Sequence, residues 1–284
     1  MYNGNKNVAA TEHNNMEIIS ASSENENDRF FDLFSAHYEW FYGNIAVDQI
    51  VKVWYRALLD AGFKKKSKRD FKDTLKLLDI GCGTGCYINP WRKKGFTVYG
   101  IDSSPSMIAL ARTKNENNDY ADTFCVADIR NIKESIVTRH KYDVLTSHFN
   151  FLNLFPKNEL KSIFNNIYLL SKRGGFWITD YSLPENLPQE CMESYDVGNS
   201  KLTKRGFWNK RLNCFEHIWK LDEKTINPRE RYWFHSHATL RNILQETGWK
   251  LEKCYQSKVI NGKLALSTFL DETEHTVIIM KRCE

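Results

Sequence analysis

The sequence lacks several features that would assign it to a specialised class of protein. Its 284 residues contain seven cysteines at irregular spacings and no CxxC pair, so neither a disulfide framework nor a zinc site is indicated. No apolar stretch approaches the roughly 18 residues that span a bilayer. The opening MYNGNKNVAATEHNN has no apolar segment of the signal-peptide kind. We therefore expect a reduced, cytoplasmic protein with no membrane partner.

The sequence also lacks a strong charge imbalance. Lys and Arg number 40 against 35 Asp and Glu, a net charge of +5 that is spread along the chain except in KKKSKR at 64–69. This excess is too small to indicate a nucleic-acid partner, and a solvated linker explains the basic run.

The chain is predicted to begin with a tail and two helices. Residues 1–27 are rich in Asn, Ser and Glu and carry few large apolar groups, so we expect a mobile N-terminal tail. Two segments with apolar residues at helical spacing follow, DRFFDLFSAHYEWFYG and AVDQIVKVWYRALLDAGF, and predict a helical cap over 28–70. The remainder, 71–284, is the predicted main domain.

From residue 75 onward, short apolar runs alternate with helical ones. This alternation predicts an α/β fold with a doubly wound, mostly parallel, seven-stranded sheet. The predicted strands are 75–80, 96–101, 122–127, 142–147, 175–180, 249–257 and 274–281, and the predicted helices between them are near 89–94, 105–114, 157–171 and 238–247.

The alternation breaks after the fifth strand. Residues 182–237 contain three prolines and two aromatic-rich stretches, 206–221 and 231–237, which predict an antiparallel pair inserted into the fold. Strand alternation places Phe215, His217 and Trp219 on one face, which would wall a pocket or form a homodimer surface. His235 and His237 have the spacing of a strand metal pair, but no third ligand is identifiable, so we expect no metal.

The segment LLDIGCGTG, residues 77–85, places a glycine-rich turn directly after the first strand. Such a turn at the carboxyl end of a parallel strand lets backbone N–H groups approach a ligand. The dinucleotide fingerprint is GxGxxG, whereas this turn is GxGxG, so a pyrophosphate cradle is disfavoured. Asp102 ends the next strand, where a carboxylate can bind a ribose diol or cap the following helix.

Together with CVADIR and YDVLTSHFNFLN, this segment resembles the class I S-adenosylmethionine-dependent methyltransferases that modify small molecules. The resemblance covers about residues 75–181 and implies a Rossmann-like methyltransferase fold that binds S-adenosylmethionine. It implies that the turn passes beneath the methionine moiety, that Asp102 binds the ribose, and that Asp79 helps to position the methionine amino group. It also implies that Asp128, after the third strand, binds the amino group of the adenine. The expected cofactor-binding residues are Asp79, Gly81, Cys82, Gly83, Gly85, Asp102, Ser103, Ala127, Asp128, Ile129 and His148.

The catalytic candidates are side chains predicted to lie where cofactor and acceptor meet. His148 and Asn150 follow the fourth strand together with Asn153, and the resemblance extends to the lid positions Tyr38 and Tyr42. For each, core packing is the alternative. Methyl transfer requires mainly that the acceptor be positioned and water excluded. Because no convincing base is visible, we expect a small polar acceptor methylated at nitrogen rather than at oxygen.

Three alternatives remain open at this stage. Enzymes that methylate the amino group of a flipped base carry an Asn/Asp-Pro-Pro-aromatic motif, and cytosine C5 enzymes use a Pro-Cys nucleophile. Neither occurs here, which disfavours DNA but leaves an RNA methyltransferase open. The same cofactor pocket would also serve cyclisation of the aminobutyrate chain, or a binding module without catalysis.

Overall fold

The computed structural model describes most of the chain, and the statements below concern that part. It comprises residues 26–42, 46–64, 74–115, 123–132, 137–183, 189–197, 199–260, 263–267 and 275–283. The predicted mobile tail, apart from its last two residues, lies outside the described residues. So does the basic run beyond Lys64.

Helices and strands alternate through most of the chain. The helices are α1 (Glu26–Tyr42), α2 (Val47–Asp60), α3 (Ile88–Arg92), α4 (Pro105–Asn115), α5 (Lys157–Leu170) and α6 (His237–Glu246). The strands are β1 (Lys76–Ile80), β2 (Thr97–Asp102), β3 (Phe124–Val126), β4 (Tyr142–Ser147), β5 (Ser171–Ser182), β6 (Glu190–Val197), β7 (Ser200–Asn209), β8 (Cys214–Leu221), β9 (Lys224–Tyr232), β10 (Trp249–Ile260), β11 (Lys263–Ser267) and β12 (His275–Arg282).

The main sheet confirms the predicted fold class. Its order is β11-β10-β12-β5-β4-β1-β2-β3, and β1 to β5 run parallel to one another. Strand β12 is antiparallel to both neighbours. The seven predicted strands are all present, and β11 adds an eighth at the edge through an antiparallel hairpin with β10. The apolar signal of β11 is short, KLALS, so periodicity alone does not reveal it.

Both faces of this sheet are covered, as a doubly wound fold requires. One buried cluster joins the sheet to α5 and α6, with Trp177 and Phe164 at its centre. The other joins the opposite face to α2, α3 and α4 and includes Trp54 and Trp91. These layers hold the carboxyl ends of β1, β2, β3 and β4 along one edge, where loop residues can converge on a ligand. No helix in the described part of the chain has the length and apolar character to cross a bilayer.

The insertion after β5 differs from the predicted antiparallel pair. It is a four-stranded antiparallel sheet, β6-β7-β8-β9. The stretch 206–221 is a hairpin rather than one strand, because residues 210–213 turn and Asn213 has φ 50°. Asp222 and Glu223 form the next tight turn at positive φ, and this pair carries no Asn-Gly or Asp-Gly signal.

Helix α1 packs across the inserted sheet. Phe30 and Phe34 are each 1% exposed and lie against Trp219 of β8, with ring centroids 6.2 and 5.0 Å away. Three polar contacts, one buried and two partly buried, tie the same helix to the main domain: Asp32 accepts hydrogen bonds from Ser104 Oγ at 2.8 Å and Ser106 N at 2.9 Å, and Asp28 accepts one from Ser103 Oγ at 2.7 Å. Helix α1 therefore bridges the two sheets.

Candidate functional site

The glycine turn leads from β1 into the space above the sheet edge. An added Cβ at Gly83 would meet only the Tyr38 ring, at 3.9 Å, so this glycine faces open space. At Gly81 and Gly85 it would approach Phe151 and Phe124 to 2.9 and 3.0 Å. At Gly83 the absence of a side chain therefore leaves space in the cavity for a ligand. At Gly81 and Gly85 it instead leaves space for neighbouring aromatic side chains.

A cavity opens directly above this turn, at the carboxyl edge of the sheet. It brings together ten of the predicted site residues: Tyr38, Gly81, Gly83, Asp102, Ser103, Ala127, Asp128, Ile129, His148 and Asn150. Asp79, Cys82 and Gly85 lie behind its wall. The side chain of Tyr42 is outside the described residues. Cys82 is buried at 4% exposure and packs beside Gly100, where an added Cβ would meet its sulfur at 2.8 Å, so it serves packing.

Asp102 fulfils the capping role that its position suggested, and its ribose contact stays a prediction. Its Oδ2 accepts a hydrogen bond from Gly83 N at 2.8 Å, and Oδ1 accepts one from Ser104 N at 2.9 Å, just before α4. Burial raises the pKa of this carboxyl to about 6. Each carboxylate oxygen has a second lone pair, so the group can also bind a diol in the cavity.

Asp128 lies at the end of β3 in an ionic cluster that includes a residue missed at the sequence level. Arg130 Nε lies 2.9 Å from both oxygens of Asp128, and Arg130 also pairs with Asp28 of α1. Asp28 and Asp128 both border the cavity. The only sequence signal for Asp28 was its acidic position in the first turn of a helix.

Asp79 is a buried carboxyl with one unsatisfied oxygen. The residue is 1% exposed, and its Oδ1 accepts a hydrogen bond from Thr146 Oγ1 at 2.7 Å. Its Oδ2 has no hydrogen-bond partner among the described residues. Burial raises the pKa of Asp79 to about 7. Such a group gains from an added cation, which fits the amino group that the resemblance assigned to it.

His148 borders the cavity but is held inside an aromatic stack. Its ring lies 3.7 Å from that of Tyr87 and 4.1 Å from that of Trp54, and Trp91 Nε1 donates to its Nε2 at 3.5 Å. Burial lowers the pKa of His148 to about 3, so the imidazole is neutral and a poor proton acceptor. Its Nδ1 has no partner in the described part of the chain and remains available as a donor.

The turn after His148 is strained. Phe149 and Asn150 have φ of 62° and 56°, the left-handed region that disfavours side chains. Asp180, which the sequence did not single out, stabilises this turn by accepting a hydrogen bond from Asn150 N at 2.9 Å. Asn153 is fully buried and bonded to backbone atoms of Ser182 and Trp233, so its role is structural.

The inserted sheet supplies the far wall of the cavity through Tyr232. Phe215, His217 and Trp219 share the face that Tyr232 occupies, as strand alternation predicted. His235 and His237, in contrast, are not in a strand. His235 lies within hydrogen-bond distance of the carbonyl oxygens of Leu152 and Phe155, and His237 of the Tyr181 hydroxyl. No cluster of three potential metal ligands occurs among the described residues.

This arrangement defines a doubly wound α/β protein with a cavity at the carboxyl edge of its parallel strands. The model of the methyltransferase domain family matches residues 71–248, so the chain belongs to that family. This membership confirms the resemblance to the S-adenosylmethionine-dependent methyltransferases, and with it the assignment of S-adenosylmethionine as cofactor.

Individual relatives agree with this membership. The ubiquinone biosynthesis O-methyltransferase of Pelagibacter ubique is 31% identical over 109 residues, which are 37% of this chain and 44% of that protein. The chain spans about half the length of the curated relatives it matches.

Solved structures share the fold. An S-adenosylmethionine-dependent methyltransferase from Clostridium acetobutylicum superposes with a TM-score of 0.69 at 16% identity, covering 88% of this chain and 98% of its own. An amino pentose methyltransferase from Micromonospora echinaspora, solved with S-adenosylmethionine bound, superposes with a TM-score of 0.61 at 15% identity, covering 95% and 100%.

Proposed function

We propose that the protein transfers the methyl group of S-adenosylmethionine to a small polar acceptor, at nitrogen in preference to oxygen. The observation that carries this proposal is the cavity in which Gly83, Asp102 and Asp128 meet beside the unsatisfied Asp79 oxygen. When bound, the cofactor supplies an electrophilic methyl group on a sulfonium.

The residues of the chain have separate roles in this proposal. Asp102 holds the ribose hydroxyls, Asp128 lies at the adenine end, and the Asp79 carboxylate faces the ammonium of the methionine moiety. His148 contributes a neutral donor through Nδ1, and its Nε2 lies 3.8 Å from Asp79 Oδ1. Tyr38 and Asn150 border the space left for an acceptor.

The preference for nitrogen is supported by the charge of the cavity. Its described lining contains no Lys or Arg, and of its three carboxylates Asp28 and Asp128 pair with Arg130, which leaves Asp102 without a cationic side chain among the lining residues. Aromatic rings cover much of the remaining surface, and such rings attract cations. An amine that arrives as an ammonium ion therefore suits this cavity better than a carboxylate or a phosphate ester.

The proposal is tested in two steps with the full chain. Calorimetry first measures binding of S-adenosylmethionine. The protein is then incubated with S-adenosylmethionine carrying a tritiated methyl group and a protein-free, low-molecular-weight cell extract, and products are identified by mass spectrometry. We expect S-adenosylhomocysteine only when extract is present. Methylthioadenosine without extract would instead indicate cyclisation, and transfer only to added RNA would indicate an RNA methyltransferase.

The assignment of the ribose contact has its own prediction. Asp102→Ala removes charge-assisted hydrogen bonds, so calorimetry should show cofactor binding weakened by about 1.5–3 kcal/mol. Asp143→Ala is the matched control, because Asp143 also accepts a backbone N–H, that of Lys76 at 2.8 Å, at the opposite edge of the sheet. Equal cofactor affinity in the two variants would contradict the assignment.

The cytoplasmic location and the homodimer stay predictions.

A further inference from the structure

A buried carboxylate in the inserted sheet lies next to the cavity wall and has no part in the cofactor site. Glu230 of β9 is 1% exposed. It accepts hydrogen bonds from the Tyr232 hydroxyl at 2.7 Å and Trp219 Nε1 at 3.1 Å, and His217 Nδ1 lies 2.8 Å away. These partners hold the pKa of Glu230 below its usual range. Because an ionised carboxylate only accepts hydrogen bonds, the proton of His217 is on Nδ1.

The same contacts fix where the other ring nitrogen points. His217 lies opposite Glu230 on one side and opposite Gly206 of β7 on the other. An added Cβ at Gly206 would meet His217 Cδ2 at 2.8 Å. With Nδ1 toward β9 and Cδ2 toward β7, the Cε1 and Nε2 atoms project away from the sheet.

The face carrying His217 also carries Trp219, which packs on α1, and Tyr232, which lines the cavity. His217 lies beside this wall and is not part of the lining: its ring is 5.5 Å from that of Tyr232, and 14% of its side chain is exposed. A carboxylate and an oriented, partly exposed imidazole form the arrangement by which proteins build a general base.

We propose that His217 is the catalytic base of this protein, that Glu230 is its positioning residue, and that the acceptor is an amine bound as its ammonium ion. This inference rests on the proposed function and names the chemical class of its acceptor. It also supplies a base, which was not visible in the sequence.

The proton transfer is balanced with groups at hand. The acceptor ammonium loses one proton to His217 Nε2, and the lone pair this leaves on nitrogen forms the new bond to the methyl carbon. The electron pair of the broken carbon–sulfur bond stays on sulfur. The imidazolium, stabilised by Glu230, then returns its proton to water through its exposed edge.

Other titratable groups surround His217. They are Glu230 and Tyr232 on β9, Lys204 on β7 and Glu193 on β6. The Glu193 carboxylate lies 3.0 Å from Lys204 Nζ, which leaves Glu230 as the carboxylate in direct contact with the imidazole.

The kinetic test compares His217→Gln with His140→Gln. His140 contacts Lys76 at the opposite edge of the sheet. With tritiated cofactor and the low-molecular-weight extract as probe, His217→Gln should reduce label transfer by about 100-fold or more. Its affinity for S-adenosylhomocysteine should stay within about twofold, while His140→Gln should match the unmodified protein. Glu230→Gln removes the negative charge that stabilises the imidazolium, so it should reduce label transfer by about 10-fold while the affinity for S-adenosylhomocysteine stays unchanged.

A second measurement does not depend on turnover. Long-range proton–nitrogen NMR of the histidines in the full chain should show the His217 proton on Nδ1, and Glu230→Gln should abolish that preference. Retention of transfer within threefold in His217→Gln, or a proton fixed on Nε2 at neutral pH, would overturn the assignment. If the unmodified protein binds cofactor but transfers no label, the proposed function fails first, and the base assignment falls with it.

Discussion

At the scale of single residues, the three glycines of the turn have different reasons to be glycine. Gly81 and Gly85 would place a Cβ against Phe151 and Phe124, so larger residues there disturb the core. Gly83 has φ 53° and open space beyond it. A side chain at this position would enter the cavity and displace a ligand without disturbing the sheet.

This difference gives a prediction with a matched control. Gly83→Val should abolish binding of S-adenosylhomocysteine in calorimetry, because the added methyl groups occupy ligand space. Gly174→Val carries comparable backbone strain, since Gly174 has φ 68°, and its added Cβ would meet only Lys281 at 3.8 Å, remote from the cavity. Gly174→Val should therefore lose stability but keep its affinity. Unchanged binding in Gly83→Val would contradict the position of the ligand.

We expect Asp79 to make binding of the cofactor dependent on pH. Its pKa is about 7 in the free protein, and an ammonium partner lowers the pKa of a carboxyl. Binding is therefore coupled to loss of a proton when the pH is below 7. We expect affinity for S-adenosylhomocysteine to be constant above pH 8 and to fall by up to about tenfold per unit below pH 7. Asp102, with its pKa near 6, adds to the fall in more acid solution.

Calorimetry between pH 5.5 and 8.5 measures this dependence. Asp79→Asn keeps the size of the side chain but cannot ionise, so the part of the dependence near pH 7 should disappear. A variant that retained the full dependence would show that another group carries the proton.

At the scale of elements, the sequence predicted the helices and strands that have a clear local pattern. It did not predict features that depend on how the elements pack together. Strand β4 has the predicted bounds, and α5 ends one residue earlier than predicted, because their apolar patterns are long and regular. The inserted sheet was predicted as two strands because its turn at Asp222 and Glu223 lacks the residues typical of tight hairpins. The helix positions of α1 were predicted as well, but not the surface on which the helix packs.

The same difference between local pattern and tertiary packing explains which residues of the candidate site the sequence revealed. Gly83, Asp102 and Asp128 follow strands in a recognisable order, and the sequence identified them. Asp28, Tyr232 and Glu230 come from elements whose placement over the cavity depends on tertiary packing, and no spacing rule connects them to the turn.

The docking of α1 can be measured through its aromatic contact. Phe34→Ala removes a ring that is 1% exposed and stacks on Phe30 at 5.2 Å. The expected loss is about 3–5 kcal/mol of docking free energy, seen as faster amide exchange across residues 26–42. Arg29→Ala, at an exposed position of the same helix, should leave exchange unchanged. Equal protection in both variants would show that the polar contacts alone hold α1.

At the scale of the whole molecule, one helix serves both halves of the site. Asp28 contacts Arg130 beside Asp128, Tyr38 faces Gly83, and Phe34 packs on the strand that carries His217. Cofactor binding and the acceptor wall are therefore mechanically linked through α1.

This linkage predicts a response far from the glycine turn. Addition of S-adenosylhomocysteine should slow amide exchange in α1 and in β9 as well as in residues 80–86, because ligand contacts made by α1 also stabilise its contact with the inserted sheet. Residues 142–147 of the buried strand β4 serve as an internal reference. Protection confined to residues 80–86 would show that the two sheets respond independently.

The buried amide of Asn153 has a consequence for the evolution and engineering of this chain. It bonds to Ser182 and Trp233, the two points at which the chain departs from the main sheet and returns to it. The inserted segment therefore begins and ends at the two contacts of Asn153. Its length and composition can change without altering the register of the strands in the main sheet. New acceptor ranges are best sought by varying the other residues of 189–232 while the Asn153 contacts, His217 and Glu230 are kept.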